Sequence, residues 1–393
     1  MTATVRVNPK LISELQGYGT EDVQNCYHCG NCSAACPYSS EPFILPRMSM
    51  RLLQMGLEES LRGNLEPWLC YYCGQCSTQC PRDAEPGATM MGLRRWLTGR
   101  YDFTGIARQF YRSPKIELAA LIIVALLTCA GLLAYGFQWG GGNLSVFDSG
   151  GGQRAFLPAT AIHVFDWVLG LTFITVLLVN IARMWHFTMH AEDIPRASTG
   201  AYLRHALLFP LHFFTQKRWA KCDNNMPWMT HLGLMLGYVT MLVLIMFFLE
   251  PLQDGPAINW KVHAFGYLAT AGLLVGVWYA VRGRLKKDLP MYRHSHSTDW
   301  VFVLLLLAIV ATGVLLHVLH RLGFAPAANL TYVAHMMAVV PWMMRFPFSK
   351  WSHLVYRPLA MYFAAIQTEA LASQSTQLRR GAEDELAPVA EAA

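Results

Sequence analysis

The sequence carries little charge for its length. Of its 393 residues, 14% are charged and 54% are hydrophobic. A soluble chain has about 25% charged residues, so this composition argues against a soluble protein and favours a membrane protein. The net charge is only +6, and the basic residues flank apolar segments. We therefore expect no nucleic-acid partner.

The chain also lacks an apolar segment at its start. Its first residues, MTATVRVNPKLISELQ, contain no apolar h-region. We therefore expect no cleaved signal peptide and a cytoplasmic location for the N-terminal region. Charges, prolines and eight cysteines lie before residue 116, whereas long apolar runs dominate afterwards. This division predicts a soluble domain over 1–115, a membrane domain over 116–357 and a C-terminal cytoplasmic tail over 358–393.

Eight of the ten cysteines form two copies of one pattern, C-x2-C-x2-C-x3-C-P, at residues 26–37 and 70–81. In bacterial two-cluster ferredoxins this run holds cubane iron–sulfur clusters, and its fourth cysteine binds the cluster of the other run. The spacing therefore predicts two 4Fe–4S clusters whose ligands cross between the runs. The first thiol set is Cys26, Cys29, Cys32 and Cys80, and the second thiol set is Cys36, Cys70, Cys73 and Cys76.

Zinc sites and disulfides are the alternatives for these cysteines. Zinc usually takes two C-x2-C pairs per site rather than a triple followed by Cys-Pro, and a reducing cytoplasm disfavours disulfides. Helix-like segments, RMSMRLLQMGLEESLRG and GATMMGLRRWLTG, come after the first and second runs. This alternation of cluster loop and helix predicts an α-helical ferredoxin domain, with the small β-rich type as the alternative.

Six apolar segments of bilayer length come next, given about 20 residues for each crossing. They are 116–137, 158–184, 227–249, 262–281, 300–320 and 330–348. Lys and Arg are concentrated on one side of these spans. The segments 94–115, 183–221 and 282–293 carry six, six and five of them, whereas the opposite loops carry only Arg154, Lys261 and Arg321. The positive-inside rule then places both termini and the cysteine domain in the cytoplasm.

Histidines inside the spans predict haem. Ionisable side chains in a membrane are costly and usually functional. His335 and His353 are 18 residues apart, which on one helix is five turns and roughly 27 Å. They would offer one ligand near each surface, as two stacked haems b require. Their predicted depths in the membrane suggest two ligand pairs. His353 and His231 would bind the haem on the cytoplasmic side, and His335 and His163 would bind the haem on the outer side. Alternatives to His163 are His263, His317 and Met241.

Two stretches resemble known families. The double CxxCGxCxxxCP pattern is similar to the C-type iron–sulfur subunit of heterodisulfide reductase. Residues 335–358 are similar to the last helix of the gamma subunit of respiratory nitrate reductase, which carries two haem-ligand histidines around a Phe-Pro-Phe motif. His231 matches that family's first ligand on an earlier helix, but Met241 stands where its companion ligand is expected. The outer haem would then use another ligand or be absent.

A ferredoxin domain fused to such a cytochrome b resembles the C-type membrane subunit of quinone-interacting membrane-bound oxidoreductase complexes, over nearly the whole chain. The resemblance implies a bacterial or archaeal cytoplasmic membrane and a quinone, either menaquinone or ubiquinone. It also implies a link to adenylylsulfate reductase in sulfur metabolism. That link would run through two soluble flavin and iron–sulfur subunits that resemble the A-type subunit of heterodisulfide reductase.

Together these patterns predict an all-α membrane protein, with a helical two-cluster ferredoxin domain and a six-helix transmembrane cytochrome b bundle. Its predicted function is electron transfer between the quinone pool and cytoplasmic partners, as one subunit of a quinone-dependent oxidoreductase. No cysteine-rich CCG-type domain is present in the sequence, so chemistry on the soluble substrate belongs to another subunit. The alternatives are a membrane subunit of another heterodisulfide reductase-like complex and a haem-free anchor with a ferredoxin domain.

Overall fold

The chain folds into α-helices. The computed structural model describes residues 6–20, 22–139, 159–191, 194–222, 224–253 and 258–391. No β-strand forms among these residues, and an isolated backbone bridge joins Ser40 and Phe43. The predicted all-α membrane fold is confirmed, and the β-rich ferredoxin alternative is wrong for the described residues.

The helices of the cysteine-rich region are short. They are α1 (Leu11–Gln16), α2 (Asn31–Ala34), α3 (Arg47–Gln54), α4 (Glu58–Gly63), α5 (Glu66–Leu69), α6 (Gln75–Thr78), α7 (Pro86–Tyr101) and α8 (Ile106–Arg112), with a 3-10 turn at Val23–Asn25. Helices α3, α4 and α7 occupy the segments that the sequence predicts to be helical. Proline is suited to the first turn of α7, because no helical partner needs its missing N–H there.

Longer helices make up most of the remaining chain. They are α9 (Pro114–Trp139), α10 (Ala159–Met189), α11 (Thr199–His205), α12 (Leu208–Thr215), α13 (Met226–Gln253), α14 (Trp260–Lys286), α15 (Pro290–Arg293), α16 (Ser297–Arg321), α17 (Ala325–Met344) and α18 (His353–Glu391). Short 3-10 turns lie at Lys217–Lys221 and Lys350–Ser352. Within the described ranges five helices are long and apolar enough to cross a membrane, namely α9, α10, α13, α14 and α16. Helix α17 covers most of the sixth predicted span but is not among the five, so six crossings stay a prediction.

The chain divides into two compact units. The cysteine unit comprises Met1–Phe103, Val179–Lys221 and His353–Ala393, and the bundle unit comprises Thr104–Leu178 and Cys222–Ser352. These divisions differ from the predicted boundaries at 115/116 and 357/358. Segments that come after long apolar helices are grouped with the cysteines, which a domain order read along the sequence does not anticipate.

A small apolar core holds the helices of the cysteine unit together. Leu11, Met50, Trp68 and Trp96, from α1, α3, α5 and α7, are each at most 1% exposed. Burying one side chain of this size contributes about 1.5–3 kcal/mol. Helices α1, α3 and α5, which are too short to be stable alone, therefore share a core with the longer α7.

Helix α18 belongs to this core. Tyr356, Ala360, Phe363 and Ile366 recur three or four positions apart and are at most 4% exposed. That spacing places them on one face of the helix. The Tyr356 ring packs against Trp68 at a centroid distance of 5.2 Å. The first part of the tail predicted from residue 358 is thus a packed helix, because these apolar side chains have a core to join.

The bundle unit is built from long helices packed side by side. Helix α14 packs against α13 and α16, and α17 packs against α9 and α16. Val277, Phe302 and Trp342, at most 8% exposed, lie at the centre of its core. The approach of α13 to α14 requires glycine, since a Cβ on Gly272 would lie 2.7 Å from the Gly233 carbonyl oxygen. Small residues of this kind allow close helix packing in membranes.

Helices α17 and α18 are separate. Helix α17 ends at Met344, a 3-10 turn comes next, and α18 begins at His353. Pro347 accounts for the break, because proline lacks an N–H and disfavours helical geometry at the residue before it. The prediction that one helix carries both His335 and His353 is therefore wrong. His335 lies in the bundle unit and His353 in the cysteine unit.

A buried ion pair lies beside this break within the bundle unit. Arg345 forms an ion pair with Glu117 of α9, and their side chains are 1% and 0% exposed. Arg345 also donates to the Thr298 carbonyl oxygen at 3.3 Å. The loss of either partner leaves the other charge buried without compensation, which costs more than the pair itself contributes.

We expect Glu117→Gln to lower the free energy of unfolding by about 3 kcal/mol, because Arg345 would keep its buried charge without a counter-ion. The double variant Glu117→Leu/Arg345→Leu removes both charges and should be markedly more stable than the single variant. Thermal unfolding of the detergent-solubilised protein measures both. Equal destabilisation in the two variants would contradict this interpretation.

Candidate functional site

The two cysteine runs adopt the same backbone geometry. In the first run His28 and Gly30 have φ values of 63° and 90°, and in the second run Tyr72 and Gly74 have φ values of 56° and 86°. Glycine takes this left-handed conformation without strain. Each run also contains a short helix, α2 in the first case and α6 in the second. The left-handed residues turn the chain sharply between cysteines, as a loop around three corners of a cube requires.

The thiols of the second set line one cavity in the cysteine unit. Tyr38, Pro46 and Tyr71 form part of its wall. The cysteines that line it are Cys36, Cys70, Cys73 and Cys76. Cys36 comes from the first run and the other three come from the second. Four thiols around one space are the donor set that a cubane takes, so these residues suit a 4Fe–4S cluster.

The thiols of the first set are close to one another in the same crossed manner. Burial raises the pKa of Cys26, and the negative charges of Cys80 and Cys29 raise it further. Burial likewise raises the pKa of Cys32, to which the charges of Cys26 and Cys29 add. Such effects act over a few ångströms, so Cys80 of the second run lies near the thiols of the first. Both sets have the crossed composition, while ligation itself stays a prediction.

The two sets also lie beside each other. Burial raises the pKa of Cys76 well above its usual value, and the charges of Cys70, Cys73 and Cys36 raise it further. Cys32 of the first set contributes in the same direction. The cysteine unit therefore holds two neighbouring thiol groups rather than two separate sites.

Backbone N–H groups point at several of these sulfurs. The N–H of Tyr72 donates to Cys70 Sγ at 3.3 Å, and the N–H of Ala84 donates to Cys80 Sγ at 3.4 Å. Such donors stabilise thiolates and tune the metal group that they hold. Burial raises the pKa of Cys36 to about 11, so ligation has to displace its proton.

Two partly buried arginines converge on the second run, and no motif in the sequence predicts them. Arg94 of α7 donates to the Cys70 carbonyl oxygen and, at 2.5 Å, to the Pro67 carbonyl oxygen. Arg357 of α18 donates to the same Cys70 oxygen at 3.2 Å and lies 4.6 Å from the Tyr71 ring centroid. Arg357 is 287 residues from Cys70, so no local sequence pattern connects them.

The two thiol sets differ in exposure. Cys29 of the first set is exposed, and its neighbour Tyr27 is 59% exposed. Cys76 of the second set is 8% exposed. The first set is therefore the more accessible to a second protein.

His335, a predicted haem ligand, has a hydrogen-bond partner at its Nδ1. Its Nδ1 lies 2.8 Å from Thr312 Oγ1, and the Thr312 hydroxyl donates to the Ala308 carbonyl oxygen at 2.6 Å. Thr312 therefore accepts the proton on His335 Nδ1, which leaves the lone pair on Nε2. Ligating histidines commonly use one nitrogen for the metal and the other for a fixed partner of this kind.

Two alternative ligands already use their ring nitrogens. His263 Nδ1 donates to the Asn259 carbonyl oxygen at 3.0 Å, and its Nε2 accepts from Arg321 at 2.9 Å. The Nε2 atom of His317 is hydrogen-bonded to the Tyr267 hydroxyl at 3.1 Å. Iron binding would require His263 to break a hydrogen bond, and the same holds for the Nε2 of His317.

His163 differs from these two. Its Nδ1 is buried and has no hydrogen-bond partner among the described residues, and an unpaired buried nitrogen is costly unless something else binds it. The remaining alternative, Met241, packs against the apolar core of the bundle unit. The geometry therefore agrees with the predicted depth in the membrane, since both favour His163 as the second ligand of the predicted outer haem.

His231 and His353, the predicted ligands of the cytoplasmic-side haem, lie in different units. His231 is in α13 of the bundle unit, and His353 is the first residue of α18 in the cysteine unit. Each is partly buried. Their pairing stays a prediction.

Comparison with known proteins identifies the class of the cysteine region. Residues 22–84 match the family described as the 4Fe-4S dicluster domain. No curated protein and no solved structure matches the chain. The protein therefore contains a dicluster iron–sulfur domain together with helices that can span a membrane, which defines a membrane electron-transfer protein.

We expect Cys36→Ala to disturb the same cluster as Cys76→Ala, since both thiols line the second cavity. Cys80→Ala should instead disturb the cluster of the first set. Each variant should lose about four irons if one cubane is lost. Iron analysis and electron paramagnetic resonance of the reduced protein measure this. If Cys36→Ala and Cys29→Ala removed the same signal, the crossed arrangement would be wrong.

Proposed function

We propose that the protein relays electrons between a membrane quinone and soluble cytoplasmic partners, through haem b and two 4Fe–4S clusters. The observation that carries this proposal is the pair of adjacent, crossed thiol sets on a chain with helices of membrane-spanning length. A polypeptide with both features can connect a lipid-soluble carrier to a water-soluble one.

The residues of the cysteine unit would hold and insulate the clusters. The four thiols of each set would bind one cubane, which supplies one-electron transfer when bound. Backbone donors such as the Tyr72 N–H stabilise the thiolates. Because Cys76 lies close enough to Cys32 for their charges to interact, an electron would have a short path between the sets.

The bundle unit would hold haem b through His335, with His163 as the second ligand of the outer haem. The hydrogen bond between Thr312 and Nδ1 of His335 would leave Nε2 available to bind the haem iron. The unpartnered Nδ1 of His163 supports its assignment. A second haem, bound by His231 and His353, is part of the proposal.

The proposed partners rest on the resemblance to quinone-interacting membrane-bound oxidoreductase complexes. We propose two soluble flavin and iron–sulfur subunits, similar to the A-type subunit of heterodisulfide reductase, as the cytoplasmic partners, and adenylylsulfate reductase as the enzyme served. The cytoplasmic membrane of a bacterium or archaeon, with both termini in the cytoplasm, is the proposed location. Another heterodisulfide reductase-like complex is the alternative partner.

A haem-free membrane anchor with a ferredoxin domain is the second candidate. The break between α17 and α18 favours it, because it removes the single helix on which the two-haem prediction was based. In this candidate the clusters alone carry electrons.

Cofactor analysis of the anaerobically purified protein tests the proposal. We expect about eight irons and eight sulfides in clusters, together with b-type haem in the reduced-minus-oxidised spectrum. A quinol analogue should reduce the haem, and an added soluble acceptor should reoxidise the clusters. If the protein contains clusters but no haem, the haem-free anchor is the correct candidate. If it contains neither clusters nor haem, both candidates are excluded.

Replacement of His335 tests whether this histidine, rather than His263, is a haem ligand. We expect His335→Ala to lose one b-type haem while its cluster iron is retained, because the two groups lie in different units. His263→Ala is the matched control, since both nitrogens of His263 are engaged by protein groups, and it should keep full haem. Haem content per polypeptide is the measurement, and haem loss in the control alone would reverse the assignment.

A further inference from the structure

Arg94 and Arg357 place two positive charges against the wall of the second cavity. Both guanidinium groups donate to the carbonyl oxygen of Cys70, and Cys70 is one of the four cysteines that line the cavity. The two arginines come from α7 and α18, so this convergence is built by the tertiary fold of the cysteine unit.

These two charges have no carboxylate partner in the part of the chain that the structure describes. Arginine stays charged in proteins. Two like charges that are partly withdrawn from water and donate to one oxygen are costly unless a nearby anion compensates them. The four thiolates of the second set outweigh the positive charge of an iron–sulfur core, so the assembled cluster would be that anion.

The first thiol set also has an arginine beside it, Arg47, but its charge acts more weakly. Arg47 lies beside the first run, since a Cβ on Gly30 would be 3.7 Å from its guanidinium nitrogen. Arg47 is exposed, and solvent and salt screen an exposed charge far more than a buried one. The two thiol sets therefore differ in the positive charge that they experience.

The charge of a residue near a cluster determines whether that residue raises or lowers the cluster's reduction potential. Reduction adds negative charge to a cluster, so a nearby cation stabilises the reduced form and raises the potential. Burial of a cluster acts in the opposite direction, because a low dielectric penalises added charge. At the second site the two opposing effects are this penalty and a pair of arginine charges at a single carbonyl oxygen.

We propose that Arg94 and Arg357 hold the potential of the second cluster above that of the first. This inference rests on the proposed function. The buried second cluster then retains the electron, and the exposed first cluster, beside Tyr27 and Cys29, exchanges it with a soluble partner.

Potentiometry followed by electron paramagnetic resonance on the full chain in detergent tests the order of the potentials. Cys36→Ala identifies the signal of the second cluster. We expect the signal that this variant loses to be the one that is reduced first in the unsubstituted protein. The opposite order overturns the proposal, whatever the arginine variants show.

Three substitutions then test whether the arginine charges cause this order of potentials. Arg357→Gln removes one charge, while Arg94 still donates to the Cys70 carbonyl oxygen. We expect it to weaken electron binding by the second cluster at least tenfold, which is about 59 mV for a one-electron couple, and to leave the first cluster unchanged. Arg357→Lys keeps the charge and should shift the potential by much less. Arg47→Gln is the matched exposed control and should shift neither cluster by that amount.

The outcomes separate this inference from the proposed function. Intact clusters with unchanged potentials in Arg357→Gln, or a shift of the first cluster only, overturn the inference and leave the relay standing. Absence of both clusters from the unsubstituted protein defeats the relay itself. If Arg357→Gln fails to retain iron, the order of potentials and the Arg357→Lys variant still decide.

Discussion

Everything in the cysteine unit depends on the crossing of the two cysteine runs. Cys36 lines a cavity with three thiols of the second run, and Cys80 lies near the thiols of the first. Each set takes thiols from both runs, so binding of a cubane would be coupled to folding of the segments between the runs. The apolar core of Met50, Trp68 and Trp96 supports those segments, and cluster binding would in turn stabilise the core.

The fold also joins segments that the sequence keeps apart. Residues 179–221 and 353–393 are grouped with the N-terminal cysteines, although long apolar helices precede both of them. Arg357 shows what this arrangement makes possible, since a residue near the C-terminus donates to the carbonyl oxygen of Cys70. Segments of the cysteine unit and of the bundle unit therefore alternate along the chain.

The features that local sequence encodes were predictable, and those that depend on tertiary structure were not. The double cysteine pattern predicted the dicluster domain because ligand spacing is a local property, and length with apolarity predicted helices able to span a membrane. The even spacing of His335 and His353 was misleading, because Pro347 interrupts the helix between them. Arg94 and Arg357 left no sequence signal, since only the fold brings them to Cys70.

In the bundle unit, the availability of a ring nitrogen distinguishes the histidines better than depth does. An axial ligand needs one nitrogen for iron and one for a fixed partner. His335 meets that condition through Thr312, whereas both nitrogens of His263 are already bonded to protein groups. Predicted depth favours His163 over His263, and the unpartnered Nδ1 of His163 agrees with that preference. A histidine at the right depth is therefore a candidate only where the surrounding protein leaves it a nitrogen to share.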